Sequence, residues 1–120
     1  MIPGTTAFVG LWVLGGWMNR QADNARFSFQ VVDYGGAASP TVTITVRVYH
    51  KNSDETGDGT LITSPTITFT AGTDANGTVK VDTWPSLKEM VRFEYVVTGT
   101  HGHWVHFQHL APVWFNTPNV

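Results

Sequence analysis

Four of the five histidines fall within nine residues, His101-Gly102-His103-Trp104-Val105-His106-Phe107-Gln108-His109. Imidazoles at short spacing are a common way for a chain without thiols to hold a transition metal. On a strand, however, side chains alternate between faces, so His103 and His109 share a face but stand about 20 Å apart while His106 points the other way. Only His101 and His103 are close enough to chelate together, and no Asp or Glu follows Glu94 to supply a local third ligand. The pair His101 and His103 is therefore a candidate for metal binding or for a pH-sensitive contact, histidine titrating near neutrality. The expectation is that the chain carries no resident metal and no cofactor.

A second concentration of donors is Asn52-Ser53-Asp54-Glu55-Thr56-Gly57-Asp58-Gly59, where three carboxylates sit among oxygen-rich neighbours of the kind that suit calcium. The EF-hand spacing and its terminal Glu are absent, so residues 51–60 read as a solvated polar loop. The G-x-S-x-G elbow, the phosphate loop and the H-E-x-x-H helix are all missing, and no nucleophile stands beside a base, which argues against an enzyme. Glu94, between Phe93 and Tyr95, is expected to face away from that aromatic pair and to be solvated or ion-paired. Five tryptophans in 120 residues raise the possibility of sugar stacking. Trp12 and Trp17 are five apart, though, and on one regular strand they would face opposite sides.

The elements that must position these residues are strands. Val42, Ile44, Val46 and Val48 alternate with Thr41, Thr43, Thr45 and Arg47, the pattern of a strand with one buried face. Ile67 and Phe69 continue the pattern, and Val79 and Val81 are expected inward after the turn Asp74-Ala75-Asn76-Gly77, whose Asn-Gly suggests a hairpin. Phe27, Phe29 and Val31 form another inward set, and Phe93, Tyr95 and Val97 another. His103 to Leu110 is expected to pair with the strand before it, across Gly99-Thr100-His101-Gly102. The one helical signal is a single turn at Pro85-Ser86-Leu87-Lys88. Seventeen Thr and fifteen Val favour pleated structure. The expected fold is all-β: one domain over residues 1–120, an antiparallel β-sandwich of seven or eight strands, Ig-like or jelly-roll.

Composition limits the partners. A folded monomer of 13.2 kDa should expose about 6,400 Å², which leaves room for a real core without disulfides. A net charge of −2 offers no surplus of cations for phosphates, which argues against nucleic acid and against anionic membranes. The chain has no Cys, which removes thiolate sites and disulfides. Ala7 to Met18 is apolar but too short to span a bilayer, and without a preceding Lys or Arg it does not read as a signal peptide, so the N-terminus is expected to be mature. Charged residues make up 13% of the chain, where about 25% is usual, and all sixteen lie between Arg20 and Glu94. The uncharged ends hold most of the tryptophans, so they are expected either to be core strands or to pack against a partner. The interface candidates are Trp12, Trp17, Trp114 and Phe115, with Ile2 and Pro3 next.

The stretch Val91-Arg92-Phe93-Glu94-Tyr95-Val96-Val97-Thr98-Gly99, followed by His103-Trp104-Val105-His106-Phe107 and Leu110-Ala111-Pro112-Val113-Trp114-Phe115, resembles the small β-sandwich head decoration, or cement, proteins of tailed bacteriophages. The resemblance covers about a quarter of the chain and is one of texture, aromatic strands ending in a Pro-x-Trp-Phe tail. It implies a structural virion protein on the capsid surface that binds the major capsid protein and symmetry-related copies of itself, with a trimer as the favoured oligomer. It carries no catalytic residues to transfer. The alternatives are a carbohydrate-binding β-sandwich module or a structural component of a phage tail or spike.

Overall fold

The alternating valines and isoleucine of residues 42–48 form one strand of a two-sheet sandwich. The computed structural model describes residues 4–117; Ile2 and Pro3 lie outside the described residues. The strands are β1 (Thr5–Phe8), β2 (Trp12–Leu14), β3 (Met18–Asn19), β4 (Asn24–Gly35), β5 (Val42–Lys51), β6 (Thr60–Thr70), β7 (Val79–Trp84), β8 (Met90–Gly99), β9 (Trp104–His109) and β10 (Val113–Phe115). All strand pairs are antiparallel. One sheet, sheet A, runs β1, β9, β4 and β7, with β10 continuing the β9 lane along β4. The other, sheet B, runs β2, β8, β5 and β6, with β3 continuing the β2 lane along β8. The ten strands thus fill eight lanes, two of which are interrupted, which reconciles the count with the seven or eight expected.

Numbered in chain order, the lanes stand 1-8-3-6 in one sheet and 2-7-4-5 in the other. That is the jelly-roll order: a single long hairpin whose arms pair lane by lane and then roll up. Only β5 and β6 are consecutive lanes that also pair. Every other connection between lanes crosses from one sheet to the other, so two expected hairpins are corrected. The Asn76-Gly77 turn leads from β6 in sheet B to β7 in sheet A, and residues 100–103 lead from β8 in sheet B to β9 in sheet A.

The strands form because each offers a period-two apolar face to the gap between sheets. Phe27, Phe29 and Val31 of β4 and Val105 and Phe107 of β9 meet Ile44, Val46 and Val48 of β5 and Val91, Phe93 and Val97 of β8. Phe93 takes the edge-on contacts that aromatic pairs favour, 4.9 Å from Phe27 and 5.7 Å from Phe29. Trp84 closes the core at the end of β7, fully buried, its indole N–H donating to the Pro65 carbonyl at 3.1 Å. The exposed surface is 6525 Å², close to the expectation from mass.

Two further expectations are corrected. Val79 and Val81 are exposed, because the register with β4 places Lys80 opposite Phe29 and Trp84 opposite Ala25, on the inward side. Lys80 uses that rim position to lay its ammonium 5.3 Å from the Phe69 ring and to pair with Asp74 at 3.1 Å. Residues 85–88 are not helical. Ser86 takes a left-handed φ of 54°, and this loop is held by the Asn24 side chain, which accepts from the Ser86 N–H, and by the Asp23 carbonyl, which accepts from the Leu87 N–H.

Candidate functional site

The densest polar construction is on the outer face of sheet B. Outward positions of β8 and β5 alternate with the core positions, which sets Arg92 and Glu94 beside Tyr49 and Arg47. Glu94 is only 4% exposed although it faces outward. Three side chains cover it: the Trp12 indole N–H donates at 2.9 Å, Arg47 at 3.1 Å and the Tyr49 hydroxyl at 3.2 Å. Burial, then the neighbouring Glu94 charge, pushes the Tyr49 phenol up. Glu94 is therefore ion-paired, as expected, but not solvated. Its partners lie 45 to 82 residues away in sequence, a proximity that local pattern does not reveal.

Trp12 and Trp17 both stand on this face, correcting the expectation from a regular strand. Gly15 and Gly16 interrupt the lane between β2 and β3, so the alternation restarts with Trp17 outward and Met18 opposite the core residue Val91. The surroundings of the two indoles differ. Trp17 is covered, with the Arg92 guanidinium 4.3 Å and the Lys51 ammonium 4.8 Å from its ring. Gly59 lies beneath it, where a β-carbon would come within 2.6 Å of the ring, and at φ +79° this position also favours glycine conformationally. Trp12 is 60% exposed, its orientation set by the bond to Glu94.

The polar loop 51–60 is largely exposed, as expected, and is also tied down. Arg92 donates to the Asp58 carboxylate and carbonyl at 3.0 Å, Lys88 pairs with Glu55 at 3.1 Å, and Glu89 accepts from the N–H and hydroxyl of Ser53. The hydrogen bond and charge of Lys88 hold the Glu55 carboxyl below its ordinary range. Two of the loop's three carboxylates are thus engaged by cations.

The histidines disperse. His101 is exposed in the turn, and His103 accepts the Thr41 N–H on Nδ1 at 2.9 Å, so that nitrogen carries no proton in this arrangement. His106 faces out beside Thr6, 2.8 Å from its hydroxyl. Among the described residues no cluster of three or more His, Asp or Glu could hold a metal. His109 is the inward one, 8% exposed, its Nε2 sharing a 2.5 Å hydrogen bond with the Tyr95 hydroxyl of the facing sheet. Burial lowers its pKa to about 4, and burial raises that of Tyr95. The pair ends an apolar cleft of about 310 Å³ between the β1 and β2 edges, lined also by Leu11, Val13 and Phe107.

The outer face of sheet A is of another kind. Phe8, Val79, Val81 and Val113 point outward and are about half exposed, and Val32 joins them at the bulge in β4. Between them lie Thr6, Ser28, Gln30, His106 and Gln108, with Arg26 and Asp33 as the formal charges on these outward positions. Trp104 lies over Gly35, where a β-carbon would come within 2.1 Å of its ring. Of the expected interface residues, Phe115 is outward under Arg26, 5.4 Å from the guanidinium, and Trp114 turns in to meet Phe27 edge-on at 5.4 Å. Phe8 and Val113 are not among the interface residues expected from sequence, and Val79 and Val81 were expected inward; the signal that would have found them is the register against β4 and β9, which a single sequence does not supply. No family model, curated protein or solved structure matches the chain.

Proposed function

We propose that the chain is a structural virion protein, a decoration or cement protein that sits on a phage head and docks through the outer face of sheet A. The observation that supports this reading most is that five of the seven large apolar side chains exposed among the described residues lie on that face or at its bulge, with few charges between them. Interface cores have this composition, apolar and depleted in charge. The molecule measures 52 × 31 × 23 Å, so a broad face can supply the roughly 800 Å² per partner of a standard interface. The jelly roll recurs in viral capsid and lectin domains, an association at the level of fold alone. In this reading the chain works without a catalytic step or a cofactor: each copy bridges shell subunits or meets its symmetry mates, and repetition over the shell adds avidity.

The test is the solution mass of the purified chain by light scattering, together with its cosedimentation with head shells of the phage that encodes it. The expected result is a discrete oligomer, or saturation of the shells at fixed stoichiometry, with Val81→Glu and Val113→Glu together abolishing it. A parent chain that stays monomeric and ignores the shells would overturn the reading.

A further inference from the structure

The proposed docking face leaves sheet B unused, and its outer surface has features of a ligand platform. Trp12 presents more than half of its surface to solvent, yet its indole is not free to swing, because its N–H is bonded to a carboxylate that is itself held by Arg47 and Tyr49. An exposed aromatic ring held in one orientation has little conformational entropy left to lose on binding. In register across the sheet from Trp12 come Val96, Thr45 and Thr68, and the next outward row is Thr98, Thr43 and Thr70. The platform is thus one indole beside a field of neutral hydroxyls. The arginines here are matched, Arg47 by Glu94 and Arg92 by Asp58, and Lys51 lies over Trp17 and donates to the Gly57 carbonyl, so the surface near Trp12 calls for a ligand without net charge. Arg47 remains partly exposed and keeps donors beyond the one given to Glu94.

A flat partner with an apolar, weakly electropositive C–H face and a rim of hydroxyls matches this surface, and that is the chemistry of a pyranose ring. We propose that the outer face of sheet B binds a neutral glycan, with one pyranose stacked on Trp12 and bonded by Arg47, and the following sugars of the chain lying across the threonines of β5 and β6, about 10 to 14 Å further along the row. Trp17 is not a second stacking site, since Arg92 and Lys51 already lie against its ring. A glycan on sheet B leaves sheet A free, so a copy docked on a shell still presents Trp12 outward.

The experiment titrates the purified full chain at pH 7 with neutral hexasaccharides of β-linked glucose, xylose, mannose and N-acetylglucosamine, read by calorimetry. Saturable binding of at least one is expected. Trp12→Ala should weaken it about tenfold or more, while Gln21→Ala, in the exposed segment between β3 and β4, should leave it unchanged. Oxidative footprinting of the unmodified chain, resolved by peptide mass spectrometry, adds a readout that needs no variant: bound sugar should protect Trp12 from oxidation. Absence of saturable binding across the panel, equal affinity in the Trp12→Ala chain, or binding that leaves Trp12 unprotected would each overturn the proposal; the last would also follow if Trp12 serves a protein partner instead.

Discussion

The two outer faces of the sandwich solve the same problem in opposite ways. Each is the water side of a four-lane sheet, and each carries aromatic residues. On sheet B the aromatics are tied to charges: Trp12 and Tyr49 to Glu94, Trp17 to Arg92 and Lys51. On sheet A the apolar side chains Phe8, Val79, Val81 and Val113 are left without such partners and half in water. The difference teaches how to separate stability from assembly in this molecule. A side chain on sheet B is bonded within the fold, so removing it costs folding energy. A side chain on the sheet A surface has most of its possible contacts still to make, so removing it costs association.

The largest effect is expected from what the faces share, the interior. His109 of sheet A and Tyr95 of sheet B form a polar tie between the sheets, and the His109 pKa of about 4 is below its ordinary 6.5. Between those values the unfolded chain binds more protons than the folded one, so stability is full above pH 6.5 and falls as pH drops toward 4, by up to about 3 kcal/mol. Urea unfolding followed by circular dichroism across this window should show the slope, and His109→Phe should flatten it. A flat profile in the parent chain would break the picture of two faces joined through one buried imidazole.

Next in size is Arg47→Met, which strips the cation from a buried carboxylate. The loss of a partner of a fully buried pair costs about 3 to 5 kcal/mol, and since Arg47 is itself partly exposed about 2 kcal/mol is expected here. Adding Glu94→Gln should recover part of the loss, a coupling that a double-mutant cycle measures directly. The smallest effect sharpens the contrast most. Val81→Ser on sheet A should change stability by no more than about 0.5 kcal/mol in the monomer. A large loss there would mean that the face is already finished within the fold.

Much of the fold could be read from residue order. The inward sets of β4, β5 and β8 follow directly from their alternation, because a buried face imposes period two on whatever strand carries it. Partnership could not be read in the same way. A jelly roll sends nearly every connection to the opposite sheet, so strands adjacent in sequence are not adjacent in space, and the rule that short turns make hairpins misleads at Asn76-Gly77 and at residues 100–103. Phase failed at Val79 and Val81, where alternation alone does not say which of two faces is inside; the register with Phe29 and Ala25 decides it. The sheet B site stayed hidden for two reasons. A pair of glycines reset the alternation between Trp12 and Trp17, and the burial of Glu94 depends on residues from two other strands, β2 and β5.

The order of lanes also sets how the molecule yields to force. β1 and β2 are outer lanes, each with one hydrogen-bonded neighbour, whereas β4 and β8 are flanked on both sides. Tension applied through the N-terminal end therefore meets a single ladder at a time, and these first lanes open like a zip. Tension on β4 or β8 must break two ladders at once. The chain is mechanically graded, soft where it begins and stiff along its centre.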